Sequence, residues 1–207
     1  MERKIYFVTA IGTDSGKTVV SAILTEALKA DYWKPVQSGT VDIDRETVQR
    51  LVSNTKSIFH PERYLLKTPV SPHAAARIDG VEIDLEDFRL PQTDNHLVIE
   101  GAGGVLVPLN DKGDMVIDLA LKFDAEVVLV SNIYLGSINH TLLTINELKR
   151  RGVKVKGIVF NGIPNPETEK YILEYSKLPC LMHIEPQKVL DNNVIERWSE
   201  VMKLLIV

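Results

Sequence analysis

Short unbroken runs of apolar residues alternate along this chain with stretches whose apolar positions recur every three or four residues. The runs are Ile5–Thr9, Tyr32–Val36, His96–Ile99, Glu126–Val130, Val155–Asn161 and Leu181–Ile184. Such runs have no polar face, as expected of strands buried in a parallel sheet. Helical spacing covers Lys17–Ala30, Asp44–Ser53, Met115–Phe123, Ser137–Arg151, Pro166–Lys177 and Val194–Leu205, and Asp84–Phe88 reads as a short extra helix. Pro166 opens one of these at a position proline tolerates, and Gly152 closes another. Asn54–Ala76 shows neither period and carries Pro61, Pro69 and Pro72, so a long irregular connection is expected there. Strands that alternate with helices throughout predict one α/β domain over 1–207, a mostly parallel sheet flanked by helices.

The first strand leads into Ala10-Ile11-Gly12-Thr13-Asp14-Ser15-Gly16-Lys17-Thr18 and then into a helix. Strand, glycine-bearing loop, Gly-Lys-Thr and helix form the context of a phosphate-binding loop, so the fold is expected to be P-loop NTPase-like. The amides of Thr13, Asp14, Ser15, Gly16, Lys17 and Thr18 would face phosphate oxygens at a helix N-terminus. Lys17 would reach the terminal phosphates, and the Thr18 hydroxyl would ligate Mg2+. The loop departs from the general pattern: the glycine expected five residues before Gly16 is Ile11, and a loop one residue longer puts Ala10 there. If Ala10 sits at positive φ, alanine costs about 1 kcal/mol.

Other polar motifs also follow strand ends, where open α/β sheets bind ligands. Glu100 ends an apolar strand and precedes Gly101-Ala102-Gly103-Gly104, which suits a second metal-side carboxylate followed by backbone that a nucleotide can approach. Lys34, fixed by Pro35 and followed by Ser38-Gly39, carries a cation to the same edge, where it could neutralise charge in phosphoryl transfer. Asp42 and Asp44 are both placed to add a carboxylate, and spacing alone does not choose between them. Gly136, Ser137, Ile138 and Asn139 open a helix whose free amides suit a carboxylate, unless Ser137 is simply its N-cap. Asn161-Gly162 could read a nucleobase edge or form an Asn-Gly turn. His73 and His140 are acid–base candidates without an assigned role.

Composition narrows the class without changing the picture. A hydrophobic content of 44% and a charged content of 25% over 207 residues suit a globular protein with a substantial core. A net charge of −4 gives no reason to expect nucleic acid or an anionic membrane as a partner. The single cysteine, Cys180, leaves no internal disulfide or cysteine-based zinc site and fits a reducing compartment. With no signal-peptide pattern before Ile5 and no apolar run near 18 residues, a cytoplasmic protein is expected.

Five segments, in order, resemble the dethiobiotin synthetase family, the ATP-dependent ring-closing enzymes of biotin synthesis. They are Phe7-Val8-Thr9 running into Gly16-Lys17-Thr18, Lys34-Pro35-Val36-Gln37-Ser38-Gly39, Ser71-Pro72-His73, Val98 to Gly104 with Pro108-Leu109, and Leu135 to His140. The second and fourth are much more specific than Gly-Lys-Thr alone. The family's loop usually opens Gly-Thr-Asp-Thr, and here Ala10 replaces its first glycine and Gly12 its aspartate. The resemblance implies ATP on Lys17 and the Thr13–Thr18 amides, with Gly101, Ala102 and Gly103 alongside, and Mg2+ among Thr18, Asp44 and Glu100. It thereby selects Asp44 over Asp42. It implies Lys17 and Lys34 as catalytic residues, Lys34 between a carbamate and the γ-phosphate, and Ser38 on the substrate 7,8-diaminononanoate. Gly136–Asn139 of a partner subunit would hold the substrate carboxylate, which implies a homodimer, and Asn161 with Gly162 would meet adenine. CO2 or bicarbonate would be the remaining substrate.

A switch ATPase of the partitioning or septum-positioning type is the competing class. Such proteins share the fold and act through protein partners, but usually carry a second lysine at the start of the loop. Thr9–Ser15 contains none, and that class gives no reason for Lys-Pro-Val-x-Ser-Gly.

Overall fold

The computed structural model describes residues 3–206. In chain order the elements are β1 (Ile5–Ala10), α1 (Lys17–Leu28), β2 (Asp31–Trp33), β3 (Val36–Ser38), α2 (Asp44–Leu51), β4 (Phe59–His60), β5 (Tyr64–Leu66) and α3 (Pro72–Asp79). A 3-10 turn at Leu85–Asp87 follows, then β6 (Leu97–Gly104), α4 (Asp118–Lys122), β7 (Glu126–Asn132), α5 (Ser137–Arg150), β8 (Val155–Asn161), α6 (Pro166–Ser176), β9 (Cys180–Ile184) and α7 (Asn192–Ile206). Seven strands form one sheet in the order β4-β2-β6-β1-β7-β8-β9, and every pairing in it is parallel.

The apolar runs behave as expected of strands with two covered faces. Tyr6, Val8 and Ala10 of β1, Val98 of β6 and Val128 and Val130 of β7 pack with α1, α2 and α7. Phe7, Ile99, Val127 and Leu129, the alternate positions, pack with α3, α4, α5 and α6. Two apolar cores therefore sandwich the sheet, and the order places β1 at its centre. No helix among the described residues is long and apolar enough to cross a membrane.

Three expectations change. Tyr32–Val36 is not one strand: β2 stops at Trp33, and β3 leaves to pair with β5 in a separate two-stranded sheet. Pro35 has no N–H to continue the first ladder, and its carbonyl instead accepts from Arg63 and Tyr64 amides at 3.0 Å. Asn54–Ala76 is ordered rather than irregular, holding β4, β5 and the start of α3. Strands of two or three residues are too short to show a period, and their partners β2 and β3 lie far back in the chain. The Met115–Phe123 helix shrinks to α4, because the Met115 amide is taken by the Asp118 carboxylate at 2.7 Å and Met115 bridges to Pro108.

The β8–β9 contact depends on a missing side chain. A Cβ on Gly157 would sit 2.7 Å from both the Pro179 carbonyl oxygen and Leu181 Cγ. Backbone cannot yield as a flexible side chain would, so Gly157→Ala is expected to destabilise the protein by about 1–3 kcal/mol. A lower denaturant midpoint with an unchanged slope would show it; a wild-type midpoint would contradict it.

Candidate active site

The site grows from the carboxyl ends of β1, β2 and β6. Parallel pairing sets Val8 of β1 opposite Glu100 of β6 and Ala10 opposite Gly104. Ala10 is a buried strand residue and is not among the residues at positive φ, so alanine there carries no left-handed strain. The unusual conformations fall later in the loop, at Asp14 (φ 55°) and Gly16 (φ 95°). Aspartate tolerates that region better than most residues. Gly16 is the N-cap of α1, and a Cβ on it would meet Asn161 Nδ2 at 2.4 Å. The loop is braced from within and from the neighbouring strand. Ser15 Oγ donates to the Gly12 carbonyl at 3.2 Å, and Asn161 Nδ2 donates to the Ser15 carbonyl at 2.9 Å.

Two buried lysines face this loop. Lys17 Nζ donates to the Gly12 carbonyl at 3.3 Å. Burial, and behind it the Lys34 ammonium, lower its pKa from the usual lysine value, so an anion arriving beside it would relieve a real electrostatic cost. Lys34 stands just beyond β2, 2.7 Å from Asp44 Oδ2 and 3.2 Å from Glu100 Oε1, and it donates to the Gly101 carbonyl at 3.1 Å. Burial works against its charge, but the Glu100 and Asp44 carboxylates outweigh burial and raise its pKa. Burial likewise works against the Asp44 carboxylate, and Lys34 with the Thr18 hydroxyl overcomes it and lowers the Asp44 pKa.

The Thr18 hydroxyl lies 2.9 Å from Asp44 Oδ1 and 3.0 Å from Glu100 Oε1, one proton shared between two carboxylates. The carboxylate that meets this hydroxyl beside Glu100 is Asp44, at the start of α2. Two carboxylates and a hydroxyl make an all-oxygen donor set that suits a hard cation whose other positions go to phosphate and water. Among the described residues there is no cluster of three or more His, Cys, Asp or Glu side chains that could hold a metal on its own.

A cleft of about 710 Å³ gathers most of the expected residues: Thr13–Thr18, Lys34, Ser38, Asp44, Glu100, Ala102 and Gly103 line it. Ser38 Oγ is buried and unpaired among the described residues. Gly101 contributes through its carbonyl. Asn161 stands behind the loop rather than in the cleft, and Gly162, at φ 131°, follows it. Gly136, Ser137, Ile138 and Asn139 do not line the cleft either. Gly136, not Ser137, is the N-cap of α5, and no side chain caps that helix end.

Sequence reasoning gave no site role to Tyr32, to Gln37 or to the Pro69–Pro72 wall. The Tyr32 hydroxyl donates to Glu100 Oε2 at 2.9 Å. Its pKa lies well above the ordinary tyrosine value, through burial first and the Glu100 charge second, so it is a donor only. The signal was available, since Tyr32 lies two residues before Lys34 and strand alternation puts both on one face. Gln37 lines the cleft and donates to the Ser38 carbonyl at 3.2 Å. Pro69 and Val70 reach the cleft through non-local packing, beside Ser71 and Pro72 of the Ser71-Pro72-His73 segment that carries part of the family resemblance.

The central loop, its lysine and the two carboxylates that flank Thr18, Glu100 on β6 and Asp44 at the start of α2, define a P-loop nucleotide-binding protein. The comparisons agree on this class and go further. A family model described as an AAA domain matches residues 4–194. The chain is 59% identical to an ATP-dependent dethiobiotin synthetase of Cytophaga hutchinsonii over 95% of both chains. It is 50% identical to the enzyme of that name from Christiangramia forsetii, again over 95% of both. Its fold is similar to that of a plasmid partition protein of Borrelia burgdorferi solved with AMPPNP, with a TM-score of 0.61 over 99% of this chain and 98% of that one. The latter identity is 14%, so that likeness concerns the fold alone. This chain belongs to the ATP-dependent dethiobiotin synthetase family.

Gly16→Ala tests the loop. Left-handed backbone costs an alanine about 1–2 kcal/mol, and the new methyl would push Asn161 off the loop. Nucleotide affinity, read by titration with a fluorescent ATP analogue, is expected to fall about tenfold or more. Wild-type affinity would show that this loop does not hold the phosphates.

Proposed function

We propose that residues 1–207 act as one catalytic domain that closes 7,8-diaminononanoate and CO2 into the cyclic urea of dethiobiotin, with ATP going to ADP and phosphate. One observation carries the reading. Lys34 is a buried ammonium held between Glu100 and Asp44, the two carboxylates that flank Thr18, on the cleft that also holds the P-loop lysine. A nucleotide-binding protein without acyl or phosphoryl chemistry has little use for a second buried cation there.

The chemistry follows from charge and position. One amine of the substrate captures CO2 as a carbamate and releases a proton. A carbamate oxygen attacks the γ-phosphorus and ADP leaves. The second amine then attacks the carbonyl carbon, its proton leaves with the departing phosphate, and the ring is closed. No enzyme nucleophile is needed; the protein aligns the reactants and neutralises anions. The Thr13–Thr18 amides and Lys17 take the ATP phosphates. Lys34, kept protonated by its carboxylates, cannot be a base; by exchanging some of its present acceptors for substrate oxygens it would hold carbamate and γ-phosphate together. Ser38, whose buried hydroxyl is unpaired among the described residues, contacts the diamine. Thr18, Asp44 and Glu100 would hold Mg2+, which when bound supplies neutralising charge at the terminal phosphates. Asn161 keeps one amide N–H and its carbonyl oxygen for adenine, with Gly162 beside it.

The carboxylate end of the substrate is assigned to Gly136–Asn139 of a second copy of the chain, hence a homodimer. The uncapped start of α5 suits a carboxylate, and the exposed Leu135 and half-exposed Tyr134 beside it give that end an apolar surface to dock. The same reading keeps the protein in the cytoplasm without nucleic-acid or membrane partners, in accord with its net charge of −4.

Phosphate release from MgATP is expected only when both the diamine and bicarbonate are present, with the cyclic urea seen by mass. Release that ignores the diamine would instead indicate a switch ATPase. Lys34→Ala is expected to bind ATP nearly as the wild type does and to lose turnover by about a hundredfold or more; near-normal turnover would remove Lys34 from the chemistry.

A further inference from the structure

Glu100 divides its two oxygens between two environments. Oε1 lies 3.0 Å from Thr18 Oγ1 and 3.2 Å from Lys34 Nζ, at the cleft. Oε2 lies 2.9 Å from the Tyr32 hydroxyl. Tyr32 is fully buried in the core on the α1 side of the sheet, its ring centroid 6.3 Å from that of Phe59. Register explains the meeting: Tyr32 of β2 pairs with Val98 of β6, and Glu100, two residues further along β6, points to the same face. Among the described residues the Tyr32 hydroxyl is the only side-chain donor to Oε2.

The terminal torsion of a glutamate is soft and roughly two-fold. Without a donor on Oε2 the carboxylate could rotate in place, or turn both oxygens toward a cation at the cleft. A fixed phenol in a rigid strand removes that freedom. A buried tyrosine hydroxyl also needs an acceptor for its own sake, so the contact has a purely structural explanation that experiment must exclude.

We propose that Tyr32 is a positioning residue that pins Glu100 Oε2 and presents Oε1 alone to Thr18, Lys34 and the metal. The inference rests on the reading of Glu100 as a magnesium-side carboxylate. Partners of this kind, one shell behind a ligand, change metal affinity by about tenfold to a hundredfold when removed. The hydroxyl thus sets how strongly and in what geometry the metal-nucleotide is held, while the ring fills the core.

The test uses the full chain and three variants, with Mn2+ as the metal probe. Binding of Mn2+ to the ADP-loaded protein is read by its electron paramagnetic resonance signal, alongside a Mg2+ titration of phosphate release. Tyr32→Phe keeps the ring and should fold, as circular dichroism will check. It is expected to weaken Mn2+ binding by about tenfold to a hundredfold and to shift the Mg2+ titration by a similar factor. Phe59→Leu loosens packing on the ring but leaves the hydroxyl; it is expected to lower Tm and leave both metal readouts at wild-type values. Glu100→Gln should weaken metal binding too. If Glu100→Gln weakens Mn2+ binding and Tyr32→Phe does not, whatever its Tm, Tyr32 is structural only and the proposal fails alone. If Glu100→Gln leaves metal binding unchanged, Glu100 is not a metal-side residue and both readings fall together.

Discussion

The parallel pairing of β1 with β6 is the constraint on which the rest depends. It sets Val8 against Glu100 and Ala10 against Gly104. The phosphate loop and the second carboxylate therefore leave the sheet side by side, although Lys17 and Glu100 are far apart in sequence. The pairing is held by two apolar cores, one on each face, and both β1 and β6 contribute alternate residues to each. A slip of β6 by one residue would move Glu100 into the opposite core and Ile99 out of it. The position of the site is thus specified by the burial of apolar side chains that take no part in its chemistry.

On that frame the site concentrates charge where water is scarce. Lys17, Lys34 and Glu100 are nearly inaccessible, and Asp44 is only partly exposed. Each would be costly alone; Lys34, Asp44 and Glu100 persist because they are paired and hydrogen-bonded to one another, while Lys17 rests on the neutral Gly12 carbonyl. Removing one partner strands the others, which is why such clusters are poor stabilisers and good devices for fixing geometry. Lys34 is the pivot, since it answers both carboxylates and still reaches the Gly101 carbonyl. The Tyr32 phenol holds the far side of the same carboxylate from within the core, so the sheet and the charge cluster are mechanically one unit.

The loop itself is held from several directions. Ser15 ties it internally, Asn161 ties it to β8, and Ile11 donates to the Val130 carbonyl of β7. Lys17 rests on the Gly12 carbonyl. A phosphate that takes Lys17 would exchange a neutral acceptor for an anionic one, so little of the binding energy goes to reorganising the loop. The uncapped start of α5 stands outside this cleft. A substrate that reaches both must span two surfaces, and a second subunit supplies the geometry under the proposed homodimer.

The sequence by itself determined the alternation of strands and helices, the central loop and the residues that carry charge into the cleft. Those features are local. An apolar run such as Val155–Asn161, a Gly-Lys-Thr at a helix start, or a lysine before a proline declares itself within a few residues. Thr18, Lys34 and Glu100 were therefore nameable before any fold was known, Asp44 was separable from Asp42 only through the family resemblance, and the structure brings the four into contacts of 2.7–3.2 Å. Tertiary structure alone decided what depends on distant pairing. It split Tyr32–Val36 into two strands in two sheets, ordered Asn54–Ala76 through β4 and β5, relieved Ala10 of any strained conformation, and turned Asn161 toward the loop. It also joined the Tyr32 hydroxyl to Glu100. A short strand has no period of its own and takes its place only from its neighbour's hydrogen bonds, and a buried hydroxyl finds its acceptor only once the sheet has closed.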